Sequence, residues 1–188
     1  SGSGIINING AQAMAANNLT IQTNSNLNIG GTLTGTGALV ITPNGNISMG
    51  LGTGQVGTLS LLDGELNNIV NGWTSLTFGL AASNQPVNVG TYTWNDSVTI
   101  RNGAGLMTIA GAQTLGANSL TLTTDSNLTL SAALTGTGTV TIAPSGNTTM
   151  GIGTGQAGVL YLIDAELAQI TNGWAGIVLG SGTSTQAV

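Results

Sequence analysis

Blocks of residues return along this chain at one fixed distance. "LTGTG" at Leu33 recurs at Leu134, "MGLGTGQ" at Met49 returns as "MGIGTGQ" at Met150, and "GAQ" at Gly10 recurs at Gly111. All three share an offset of 101 residues, which aligns residues 1–87 with 102–188 without a gap, roughly half the positions being identical. A repeat that accepts substitutions but no insertion has its spacing set by structure, because each copy must meet the next in register. The chain reads as a single segment, 1–188, with a first long repeat at 1–101 and a second, incomplete one at 102–188. Its ends fall within the pattern, as expected of a piece of a longer polypeptide.

A shorter period lies inside the long one. Apolar–polar–apolar triplets start at Leu19, Leu39, Leu59, Leu76, Val98 and Leu120, at steps of about 20 residues. A second series starts at Ile6, Leu27, Ile47, Val87, Met107 and Leu128, with one member missing near residue 67. A third, weaker series contains Met14, Leu33, Trp73 and Tyr92. Alternation with period two predicts short strands with one buried face, and the Gly, Asn, Ser and Thr between them predict turns. Short strands at a constant step, without helical spacers, predict an all-β fold: a right-handed parallel β-helix, or β-solenoid, with about 20 residues per turn. Five turns per long repeat would give roughly nine turns and a rod of about 40–45 Å. Leu19, Leu39, Leu59, Leu76, Val98 and Leu120 are the expected core column. A β-sandwich also uses short strands, but has no reason to keep a 20-residue step.

Such a stack explains the composition. Charged residues make up 4% of the chain, with one Arg, no Lys, no His and no Cys. Like charges stacked along the outside would repel, whereas rows of Thr and Asn do not. A single cation, Arg101, argues against nucleic acid and anionic membranes as partners. Lack of Cys and His removes disulfides, the common nucleophilic triads and most zinc sites. No apolar run is long enough to insert into a membrane.

Four of the six carboxylates fall in two copies of one motif. "LLDGELNNIVNGW" at Leu61 carries Asp63 and Glu65; "LIDAELAQITNGW" at Leu162 carries Asp164 and Glu166. Leu66 and Ile69, spaced i, i+3, predict a short helical turn over Asp63–Ile69, repeated over Asp164–Ile170, that replaces the missing strand and enters the core. Asp63 and Asp164 then fit as N-caps, and Glu65 and Glu166 lie in the first turn at the positive end of the helix dipole. The alternative chemistry is a weak Ca²⁺ site using Asp63, Glu65, Asp164 and Glu166, or a glycosidase-type acid pair. A scaffold role accounts for the duplication better than catalysis does, so no catalytic residue, enzyme activity or cofactor is expected. "GTGQVG" at Gly52 and "GTGQAG" at Gly153 read as tight turns, since no Lys is present to meet a phosphate. Tyr161 takes the polar slot of "LYL" and should point outward as a possible surface contact.

The triplets, the "L-x-L-x-D-x-E-L-x-x-I" segment ending in "G-W", and the Gly/Thr/Asn-rich background resemble the repeats of filamentous-haemagglutinin-type bacterial exoproteins, which are related in architecture to autotransporter passengers. The resemblance covers nearly the whole chain and is carried most by the segments at Leu59 and Leu160. It implies a right-handed β-helix exported to the bacterial cell surface, serving there as the shaft of an extracellular fibre or adhesin. Neighbouring repeats or further copies of the chain would be its partners, through a continuous chain or end-to-end stacking, and host or cell-surface glycans a further possibility. The competing functions are a glycan-binding β-helix module and an ice-binding β-helix.

Overall fold

The computed structural model describes residues 4–180. In chain order the elements are β1 (Ile6–Ile8), β2 (Gln12–Ala13), β3 (Leu19–Thr23), β4 (Leu27–Ile29), β5 (Leu33–Thr34), β6 (Ala38–Pro43), β7 (Met49–Leu51), β8 (Leu59–Leu61), α1 (Asp63–Asn67), β9 (Ser75–Gly79), β10 (Val87–Val89), β11 (Tyr92–Thr93), β12 (Val98–Arg101), β13 (Met107–Ile109), β14 (Gln113–Thr114), β15 (Leu120–Thr123), β16 (Leu128–Leu130), β17 (Leu134–Thr135), β18 (Thr139–Ala143), β19 (Met150–Ile152), β20 (Leu160–Leu162), α2 (Asp164–Leu167) and β21 (Gly176–Leu179). Among the described residues the fold is all-β with two one-turn helices, and every strand pair is parallel.

The longest sheet has seven strands in the order β21-β18-β15-β12-β9-β6-β3. Its register stacks Leu19, Leu39, Leu76, Val98, Leu120, Val140 and Ile177 in one column. Leu39, Leu76, Val98, Leu120 and Val140 are buried; Leu19, on the terminal strand, is only partly so. The alternate positions face outward and place Thr77, Thr99, Thr121 and Thr141 in single file.

Leu59 does not join this column. It is fully buried, but β8 pairs with β7 in the second stack, Met49 opposite Leu59 and Leu51 opposite Leu61. The chain leaves β6, forms β7, doubles back through a short loop and lays β8 alongside it. Consecutive strands of the long sheet are therefore 20, 37, 22 and 22 residues apart over one repeat. Each 101-residue repeat adds four strands to this sheet rather than five, and the sheet has seven strands in place of nine turns. The cause is that the triplet at Leu59 carries the same alternation as its neighbours; periodicity fixes which side chains are buried, not which stack they join. The second stack also shifts one expected strand from Ile47 to Met49–Leu51.

In the third stack β2 pairs with β5, and β11, β14 and β17 pair in sequence. Ile69 bridges to Leu33 and Ile170 to Leu134. Ile69 thus holds the place expected of Trp73, and Gln12–Ala13 the place expected of Met14. Trp73 packs instead over Gly35, and Trp174 over Gly136; a Cβ at either glycine would lie 2.7 Å from the ring. All three stacks contribute to one hydrophobic cluster, which includes Leu39, Met49 and Leu134.

Candidate functional site

The acidic motif is built around the point where β7 and β8 double the second stack. Gly52 and Gly54 turn the loop with φ of 88° and 84°, a left-handed conformation in which a side chain would be strained. Gly52 N–H donates to Leu61 O, and Thr53 N–H donates to Asp63 Oδ1 at 2.8 Å. In the second copy Thr154 N–H donates to Asp164 Oδ1 at 3.2 Å. The glycine-rich loop thus gives an amide to the chain's own carboxylate, so that donor is already taken by an internal anion.

Asp63 and Asp164 are not N-caps. The cap positions are Leu62 and Ile163, and the aspartates are the first helical residues. The helices are also shorter than expected, because Ile69 and Ile170 form bridges beyond their ends. Capping falls to the glutamates. Glu65 Oε2 accepts from Leu62 N–H at 2.8 Å, and Glu166 Oε2 from Ile163 N–H at 3.1 Å. This is the reciprocal half of a capping box, with the third helical residue reaching back to the cap.

The second oxygen of each glutamate reaches another strand. Glu65 Oε1 accepts from Ile29 N–H at 3.1 Å, and Glu166 Oε1 from Leu130 N–H at 3.3 Å. Asn68 Nδ2 donates to Ile29 O at 2.6 Å, and Asn26 Oδ1 accepts from Ser60 N–H at 3.1 Å. Side chains thus stand in for backbone partners on the side of β4 that faces β8. Glu166 is buried, and its carboxylate, taken from water, is compensated by these two amide donors.

Aromatic residues complete the motif's surroundings. Tyr92 Oη donates to Asn67 Oδ1 at 3.0 Å, and the Tyr92 ring meets Trp94 edge-on with centroids 4.7 Å apart. Burial, and secondarily the negative charge of Asp63, push the Tyr92 phenol up to about 12. Asp96, buried nearby, accepts from Gly72 N–H at 3.0 Å. Tyr161 points outward and is 38% exposed.

Structure therefore brings Asp63 and Glu65 into one junction, and Asp164 and Glu166 into its copy, each engaging amide donors. Among the described residues no three Asp, Glu, His or Cys side chains gather as metal ligands would. Asn26, Asn68 and Asp96 were missed by sequence reasoning; the only signal for Asn26 and Asn68 was that they flank the strand and helix this junction joins. No protein-family profile, curated protein or solved structure matches the chain.

Proposed function

We propose that the chain is a repeat segment of the shaft of an extracellular bacterial surface fibre or adhesin, coiled as a right-handed parallel β-helix. The observation that carries the reading is that strand registers recur with the sequence repeat: Leu19 to Leu120, Leu39 to Val140 and Leu76 to Ile177 occupy one column at the same 101-residue offset. A stack that repeats in register can be lengthened without changing its core, which suits a spacer. The acidic junctions serve this role as scaffold, closing the backbone hydrogen bonds where a strand is inserted. The polar outer rows and low charge allow many copies to be stacked without like-charge repulsion.

An ice-ordering face is the poorer reading, because the Thr row is one residue wide. The next row of the same register holds Gly79, Arg101, Thr123 and Ala143, of which Gly79 and Ala143 are buried. A glycan-binding face would rest on Tyr161, which has Ser60 as its counterpart in the first repeat.

Joining further 101-residue copies in phase tests the shaft. Small-angle scattering should show the particle lengthening by about 19 Å along its path per copy, four strand spacings. Copies that instead form separate globules on flexible links would sink the proposal.

A further inference from the structure

Two of the three stacks are interrupted inside the repeat, away from either end of the chain, and the other is not. The long sheet carries backbone pairing through all seven of its strands, from β3 to β21. The second stack stops at β4, where β8 lies against it, and again at β16, where β20 does; neither contact is a strand pair. The third stops at Ile69, which bridges to Leu33, and starts afresh at β11. The two breaks of the first repeat flank α1, one before it at β8 and one after it at Ile69.

Among the described residues, the hydrogen bonds across these breaks all involve side chains. Ile29 N–H donates to Glu65 Oε1 at 3.1 Å, Asn68 Nδ2 donates to Ile29 O at 2.6 Å, and Ser60 N–H donates to Asn26 Oδ1 at 3.1 Å. Across the third-stack break Tyr92 Oη donates to Asn67 Oδ1, and Gly72 N–H to Asp96 Oδ1, each at 3.0 Å. The second copy is clasped more weakly. Glu166 Oε1 still accepts from Leu130 N–H, at 3.3 Å. Asn127, the counterpart of Asn26, has its Oδ1 buried without a partner, and Gln169, in the place of Asn68, turns back to Ala165 O at 3.5 Å. A backbone ladder parts as a unit, whereas a side-chain clasp lets go by rotating its own χ angles.

We propose that the acidic junction is a hinge. The second stack opens at the β4–β8 and β16–β20 contacts, turning on the long sheet while every backbone ladder stays paired, and the second junction opens more readily than the first. The inference concerns the stacks themselves and goes beyond the shaft reading. In a lengthened stack, one hinge per 101 residues gives flexure without unfolding.

Hydrogen exchange of the intact 188-residue chain, followed by NMR in urea below the unfolding transition, reads the opening. The buried amides of Ile29 and Leu130 should exchange about tenfold faster, or more, than those of Leu76 and Val98 in the long sheet, and with less dependence on urea. Leu130 should be the faster of the pair. Asn68→Ala should speed Ile29 by roughly two- to tenfold and leave Leu76 and Val98 unchanged. Spin labels supply the motion itself, since the chain has no Cys to compete with introduced ones. Asn28→Cys with Thr129→Cys spans the first junction, and Thr20→Cys with Thr141→Cys spans as many strands of the long sheet. The first pair should give the broader distance distribution. Exchange of Ile29 and Leu130 at the rate and urea dependence of the long sheet, Ile29 faster than Leu130, no effect of Asn68→Ala on Ile29, or equal label widths would each overturn the hinge. Rigid junctions leave the shaft reading standing, because in-phase copies can still lengthen a stiff stack; separate globules in that other test leave the hinge within one chain standing.

Discussion

Glu65 is the residue on which the inserted strand depends. It accepts two amides from segments that no backbone carbonyl serves, those of Leu62 and Ile29. Glu65→Ala leaves both donors without their acceptor and should cost about 2–4 kcal/mol in urea denaturation. Asp63→Ala frees only the exposed Thr53 amide and should cost about 0.5–1.5 kcal/mol. An N-cap role for Asp63 would require the reverse order, so the pair of measurements discriminates. Tyr92 adds a dependence on alkaline pH. Its phenol is raised from 10.0 to about 12 in the folded chain, so above pH 10 the unfolded chain loses its proton first. The stability Tyr92 contributes is full below pH 10 and is lost as pH rises toward about 12. Denaturation curves across that window should fall more steeply for the parent chain than for Tyr92→Phe.

The pairing of Trp73 with Gly35 fixes how the segment after α1 returns to the long sheet. A methyl group at Gly35 would meet the indole at 2.7 Å, so Gly35→Ala should destabilise by about 1–3 kcal/mol. In a double-mutant cycle with Trp73→Leu, most of that cost should disappear; additive costs would show that the contact is not the cause. The sequence shows some of these elements and hides others for identifiable reasons. Alternation at Leu19, Leu39, Leu76 and Val98 is legible because a strand with one buried face must alternate. Burial of Leu66 and Ile69 is legible from their i, i+3 spacing. The stack that β8 joins is not, since "LSL" at Leu59 would suit either sheet. A hint lies in the ten-residue step from Met49 to Leu59, half the usual step and broken by the Gly52 and Gly54 turn. The Glu65–Ile29 bond links residues 36 apart, and nothing local encodes it. Glu65 could still have been read as the capping residue, since a Glu at the third helical position can bond back to any cap residue's amide, Leu62 included.

At the scale of the whole molecule the inserted strand has a geometric consequence. From β9 to β21 the long sheet advances by four strands. From β8 to β20 the second stack runs through β7, β10, β13 and β16, an advance of five, with β20 lying against β16. At about 4.8 Å per paired strand, one face gains about 19 Å per repeat, and the other gains the same over its four paired steps plus the further step from β16 to β20, which the Glu166 side chain bridges. Faces separated by about 10 Å cannot both stay straight with that difference, so a shaft built on this repeat should bend by roughly 20–30° per copy. The inserted strands, and with them the exposed Val56 and Val159 of the doubling loops, would lie on the convex side. Electron microscopy of chains with four or more in-phase copies should show arcs or a superhelix of constant hand. Deleting Met49–Thr58 and its counterpart Met150–Val159 in every copy removes one strand per repeat from the longer face. Leu59 and Leu61 carry the same buried alternation as Met49 and Leu51, so β8 can then pair with β10 in place of β7. Rods of the deleted form should be straighter than the parent; straight parent rods, or equal curvature in the two, would show that the extra strand is absorbed locally and does not shape the fibre.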